Sequence, residues 1–214
     1  MRNLTCAPMT YLLLLVASTA ACGGDDEIDS DEQARRAYLC LDGSIQKSID
    51  LGFAGFSAAS SANIPEQTGA GDVAGTIKVN GQVDQGSSNN KGMRLNVGMV
   101  GYDDGPVEYN PDHDKVHVVF DTATTVADQP YLSLQLKNIP SGTLDGTLTS
   151  NSSMHGIYTL SGDIQGTLTL NLTIAGPIMA GSGNVITVRV PGMTTVTGTA
   201  TNSDGGVYNI SITI

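Results

Sequence analysis

Tryptophan is absent from the 214 residues, phenylalanine occurs three times and tyrosine seven. So few aromatics work against a sugar cleft built on aromatic platforms and against the aromatic girdles of a membrane-spanning β-barrel. Basic residues are scarce too: 10 Lys and Arg stand against 21 Asp and Glu, a net charge of -11. Without a basic cluster the chain lacks a surface that neutralises phosphates, and no nucleic-acid partner is expected. Charged residues amount to 14%, too few for a disordered acidic chain, while 40% apolar content suffices for a globular core. Reaction signatures are missing as well: there is no Gly-x-Ser-x-Gly elbow, no His-Glu-x-x-His, no phosphate loop and no dinucleotide fingerprint. An enzyme is therefore not expected, and no substrate is specified.

What is present begins at the N-terminus. Met1 to Ala21 starts with Arg2, passes through Tyr11-Leu12-Leu13-Leu14-Leu15-Val16-Ala17 and turns to the small residues Ser18, Thr19, Ala20 and Ala21. A charged start, a short apolar run and small residues read as an export signal. The apolar run falls well short of the roughly 20 residues that a bilayer-spanning helix requires. Thr19-Ala20-Ala21-Cys22 resembles the lipobox of bacterial lipoproteins, with Thr19 where that family usually carries a large aliphatic residue. The resemblance implies a signal peptide over 1–21, a covalent acyl lipid on Cys22, and a membrane reached through that anchor. Ordinary cleavage after Ala20 or Ala21 would instead give a soluble secreted or periplasmic protein.

Residues 22–30 read as an acidic flexible tether, opening with Gly23-Gly24. Six of the 21 acids lie between Asp25 and Glu32, so much of the net charge belongs to this tether and its border. Acidic stretches behind the lipidated cysteine resemble surface-display signals of some bacteria, and Gly23 after Cys22 resembles lipoproteins released to the outer membrane. The expected address is the outer membrane or the cell surface. Removal of the signal discards Cys6, and acylation consumes Cys22. Cys40 is then the one free thiol, so no intrachain disulfide forms. It reads as a small buried apolar residue, not a nucleophile.

Residues 31–214 are expected to form a single β-rich domain. Ala34, Tyr38, Leu41, Ile45, Ile49, Phe53 and Phe56 recur at spacings of three and four, which predicts an amphipathic helix over 31–57. Ser30 or Asp31 is placed to cap it, and Gly43 marks a break near Asp42 to Ser44. The mixed charges of its polar face favour packing on the domain's own sheet over lying on a membrane. Residues 57–71 read as a linker. From about Asp72 the period becomes two, as in Ile77-Val79, Met93-Leu95-Val97-Met99, Leu132-Leu134-Leu136 and Leu168-Leu170-Leu172-Ile174. That alternation predicts nine or ten antiparallel strands with one buried face. A motif with paired glycines recurs at Gly71–Ile77, Gly142–Leu148 and Gly162–Leu168, with an echo near Gly198. Its second glycine falls on the aliphatic face, where a missing side chain admits a bend or another backbone. The expected fold is mainly β, a curved antiparallel sheet forming a barrel or sandwich with the helix packed on it.

The densest polar cluster is Asp103, Asp104, Glu108, Asn110, Asp112, His113 and Asp114. Asp103, Asp104, Asp112 and Asp114 are weak calcium candidates, since calcium takes six to eight oxygen ligands. The spacing matches no EF-hand loop, so a solvated acidic loop is the stronger reading and no metal or other cofactor is expected. His113 and His117 are read as sharing one face of an extended strand. Taken together, the leading expectation is a lipid-anchored envelope protein with a non-catalytic structural or interaction role, its partner another envelope protein. The alternative is a lipocalin-like carrier whose interior, near Met93, Met99 and the inward glycines, holds an apolar ligand.

Overall fold

The computed structural model describes residues 27–59, 61–84, 88–137 and 146–214. The stretch read as a signal peptide, Cys22 with the start of the stretch read as a tether, and the first four residues of the Gly142–Leu148 motif lie outside them. One helix, α1 (Asp31–Ala58), opens the domain; the Ser30 hydroxyl caps it by accepting from the Gln33 amide, and Asp31 and Glu32 in its first turn complement its dipole. Ala34, Tyr38, Leu41, Ile45, Ile49 and Phe53 form its buried stripe. The break expected near Gly43 is absent, and α1 runs through it for 28 residues. One glycine costs a helix about 1 kcal/mol, and the buried turns on both sides outweigh that.

Among the described residues thirteen strands follow: β1 (Asn63–Ala70), β2 (Ala74–Val83), β3 (Lys91–Asp103), β4 (Val107–Glu108), β5 (Lys115–Val116), β6 (Val118–Asp121), β7 (Tyr131–Lys137), β8 (Gly146–Leu148), β9 (Ser153–Gly162), β10 (Gly166–Ala180), β11 (Thr187–Arg189), β12 (Thr195–Asn202) and β13 (Val207–Thr213). β4 and β5 make a separate hairpin, and the other eleven build one antiparallel sheet. The stretch read as a linker contains β1, whose only buried residue is Ile64. Gln67 and Gly69 stand where aliphatic side chains would have revealed the strand; Gly69 lets β1 lie close to Leu51 and Ile77 instead.

The register shows how eleven strands fit together. β6 and β7 lie end to end between β3 and β9, β8 and β9 end to end along β10, and β11 and β12 end to end on its other side. Three lanes are thus each filled by two short strands, and the sheet has eight lanes that succeed one another in chain order. The sharing also links β3, β6, β9, β10, β8 and β7 in a ring of pairings. Between Ala74 and Thr76 the ladder shifts by a bulge at Gly75, which has φ +75°; a Cβ there would strike the Gly101 backbone. At Gly75 the second glycine of the motif therefore does permit a backbone approach, whereas at Gly166 a Cβ would meet only the Glu27 carboxylate at 4.0 Å.

The inward faces of all eight lanes join one apolar core with α1. At Gly52 and Gly55 a Cβ would collide with Leu95 and Ile64, so these two positions let the helix settle on the sheet. α1 also reaches both ends of the strand order: the Asn209 amide of β13 donates to Asp31 (2.7 Å), and Lys47 donates to the Ala70 carbonyl of β1 (2.8 Å). Among the described residues, β1 and β13 do not pair with each other. No described helix is long and apolar enough to cross a membrane.

Candidate functional site

The chain leaving β3 at Asp103 separates the acids that the sequence places together. Asp103 is buried and accepts from His117 Nε2 (2.7 Å) and from the Gly105 amide (2.7 Å). Burial pushes its carboxyl up, but the His117 and Gly105 hydrogen bonds outweigh this and hold it below the ordinary range. Asp104 turns the other way and accepts from Lys47 Nζ (3.2 Å), Tyr102 OH (2.6 Å) and the Asp72 amide (3.0 Å). Burial, then the Asp104 carboxylate, push the Tyr102 phenol upward. Glu108 meets His113 Nδ1 (2.8 Å) on the β4–β5 hairpin, where Asp114 binds Asn110. Asp112 is exposed at the hairpin turn.

The four calcium candidates are therefore divided between the root of the hairpin and its tip, with Asp103 and Asp104 facing His117 and Lys47. Among the described residues, no group of three or more His, Cys, Asp or Glu is placed to hold a metal ion. The shared strand face expected for His113 and His117 is not formed. His113 sits in the turn with φ +63° and its ring goes to Glu108, whereas His117 goes to Asp103. Cys40 is buried, and its Sγ lies 3.4 Å from the Val116 carbonyl. Burial pushes the thiol up to about 12, so at neutral pH it is protonated.

A polar constellation that the sequence reading missed lies along the other flank of α1. Arg189 of β11 places Nη1 and Nη2 on the Asp42 carboxylate at 2.8 and 2.7 Å, while Tyr38 OH donates to the same group (2.9 Å). One turn on, Gln46 Oε1 accepts from the Arg189 amide and its Nε2 donates to the Thr187 carbonyl; a further turn on, Asp50 accepts from the amides of Ile186 and Thr187. Asp42, Gln46 and Asp50 recur at a spacing of four, so they stack on one helix face. That spacing was the available signal, and nothing in it names the strand 140 or so residues away that it would meet. For the Thr187 amide and carbonyl and for the Arg189 amide, these side chains do what a neighbouring strand would.

The core-facing side of α1 supplies the remaining candidate. Ser44, Ile45 and Ser48 face Met99, Met154 and Tyr158 across a seam of only about 10 Å³. That is room for one water at most. Both serine hydroxyls bond back to helix carbonyls, and the wholly buried Tyr158 OH has the Met154 thioether as its partner at 3.5 Å. The room expected near Met99 and the inward glycines is thus filled by α1 itself. Comparison of the chain with protein-family models, curated proteins and solved structures gave no significant match.

Proposed function

We propose that this protein is a lipocalin-like carrier that takes an apolar molecule between α1 and the inner face of the sheet. The observation that carries this reading is the lane count and order: eight antiparallel lanes, up and down in chain order, around one apolar interior. Eight-stranded up-and-down barrels of this plan hold a single small ligand. The finer architecture that goes with it is an open barrel in which α1 takes the place of a β1–β13 pairing. Because the seam is nearly full, loading requires α1 to move outward. Its core-facing Ser44, Ser48, Gly52 and Gly55 are small, and Met93, Met99 and Met154 opposite them adapt their shape readily.

In the same proposal the carrier is exported, held by acyl chains on Cys22 and presented by its acidic tether at the outer membrane or cell surface, and its role is non-catalytic. A structural or interaction role is the second reading, favoured by the packed seam. Native mass spectrometry of the protein from its own host's envelope, against a denatured control, separates the two. An apolar molecule that co-purifies and leaves on denaturation supports the carrier and gives its mass. A bare polypeptide mass, with no uptake from a lipid extract of the same envelope, overturns it.

A further inference from the structure

The wall that meets α1 on its inner side carries a different surface on its outer side. Asn63, Gln82 and Arg94 stand directly opposite one another across β1, β2 and β3; one step along, Asn80, Asn96 and Tyr131 do the same across β2, β3 and β7. These six outward positions border a groove of about 300 Å³, at the lower end of the range for small-ligand sites. The amides are joined in two pairs, Gln82 Nε2 to Asn63 Oδ1 (3.2 Å) and Asn96 Nδ2 to Asn80 Oδ1 (3.3 Å). Each amide carries two donors and an acceptor with two lone pairs. Each pair therefore uses one donor and leaves both kinds of capacity facing the groove.

Charge in the groove is cancelled. Arg94 is the one charged side chain bordering it, and its Nη2 is held 2.9 Å from Asp84. Tyr131 is 37% exposed and places its ring at the border of the groove beside the amides. We infer that this groove binds a neutral oligosaccharide, held mainly by its amides and by a single ring rather than in a cleft of several aromatic platforms. Hydroxyl groups that both donate and accept match amides that do the same, and an aromatic face suits the C–H side of a pyranose. Lanes lie about 4.8 Å apart, close to the length of one sugar residue, so successive residues meet successive strands. A charged ligand would find no unpaired counter-charge, and an apolar one would strip water from half-bonded amides. The groove opens on the outer face of the sheet, and of the residues bordering it only Tyr131 also borders the α1 seam, so Asn96→Ala and Gln82→Ala probe it without touching the interior.

The test uses the mature full-length protein and three probes, maltohexaose, cellohexaose and chitohexaose, titrated and followed by saturation-transfer NMR and calorimetry. At least one is expected to bind, and Asn96→Ala and Tyr131→Ala are each expected to weaken that complex about tenfold, as the loss of one good contact does. Gln82→Ala, at an exposed position, is the second variant should either of these fail to fold, judged by circular dichroism. Absence of binding by all three probes overturns the inference. So does binding that the variants leave unchanged.

Discussion

Arg189 and Asp42 stand 147 residues apart in the chain, yet two guanidinium nitrogens of the one lie 2.8 and 2.7 Å from the two carboxylate oxygens of the other. Only 8% of the Arg189 side chain and 14% of the Asp42 side chain meet solvent, so the pair is desolvated and fastens α1 to β11. Breaking such a pair from one side leaves an uncompensated charge, at a cost of about 3–5 kcal/mol. Arg189→Met is expected to lower the stability measured by urea denaturation by about that amount. Asp42→Leu together with Arg189→Met should recover much of it. A loss below about 1 kcal/mol in the single variant would show that the pair does not hold the helix.

Asp103 makes stability depend on acid. The Asp103 carboxyl is held below its ordinary value of 3.8, so its contribution is fully present above that pH and is lost as pH falls through the lowered folded value. Asp103→Asn should be less stable than the parent at pH 7 and lose less on acidification below about pH 4. Parallel stability curves for the two proteins across that window would contradict the assignment.

Cys40 is protonated and shielded. In a chain with Cys6 and Cys22 changed to serine, Ellman's reagent at pH 8 should label Cys40 only slowly in the native state and at once in denaturant. Stoichiometric labelling of the folded protein within the mixing time would refute the burial.

Gly75 and Gly183 both have positive φ, but a Cβ at Gly75 meets the Gly101 backbone while one at Gly183 meets nothing within 4 Å. Gly183→Ala is expected to cost only the left-handed strain, about 1–2 kcal/mol. Gly75→Ala should cost at least twice as much in thermal denaturation. Equal losses would mean that the bulge can relax.

The proposed anchor has its own test in the host. Cys22→Ser should move the protein from the membrane fraction to the soluble one. Unchanged partitioning would discard the acyl anchor while leaving the domain's fold and the carrier reading untouched.

Much of the fold was legible because the pattern that encodes it is local. A stripe at three and four defined α1 to within one residue at its C-terminal end, and alternation at two marked the inward residues of β2, β3, β7 and β10. Burial is a property of each side chain, so it leaves a trace in the order of residues. β1 left little trace because Gln67 and Gly69 occupy its pattern, and the continuity of α1 through Gly43 depends on packing on either side of the glycine. The polar sites were less legible still. The sequence groups Asp103, Asp104, Asp112, His113 and Asp114 by proximity, and the fold parts them, because Asp103 ends β3 and turns to His117, Asp104 turns to Lys47, and Asp112, His113 and Asp114 lie out on the β4–β5 turn.

By itself, then, the sequence determined which side chains must be buried, the switch from a helical to a strand period, and the scarcity of basic and aromatic residues. Tertiary structure alone decided which strands share a lane, that α1 fills the inner face, that Asp42 meets Arg189, and that Asn63, Asn80, Gln82 and Asn96 converge on one groove. The reason is physical: periodicity is written in residues a few positions apart, whereas register joins residues whose separation along the chain carries no energy until the sheet has formed.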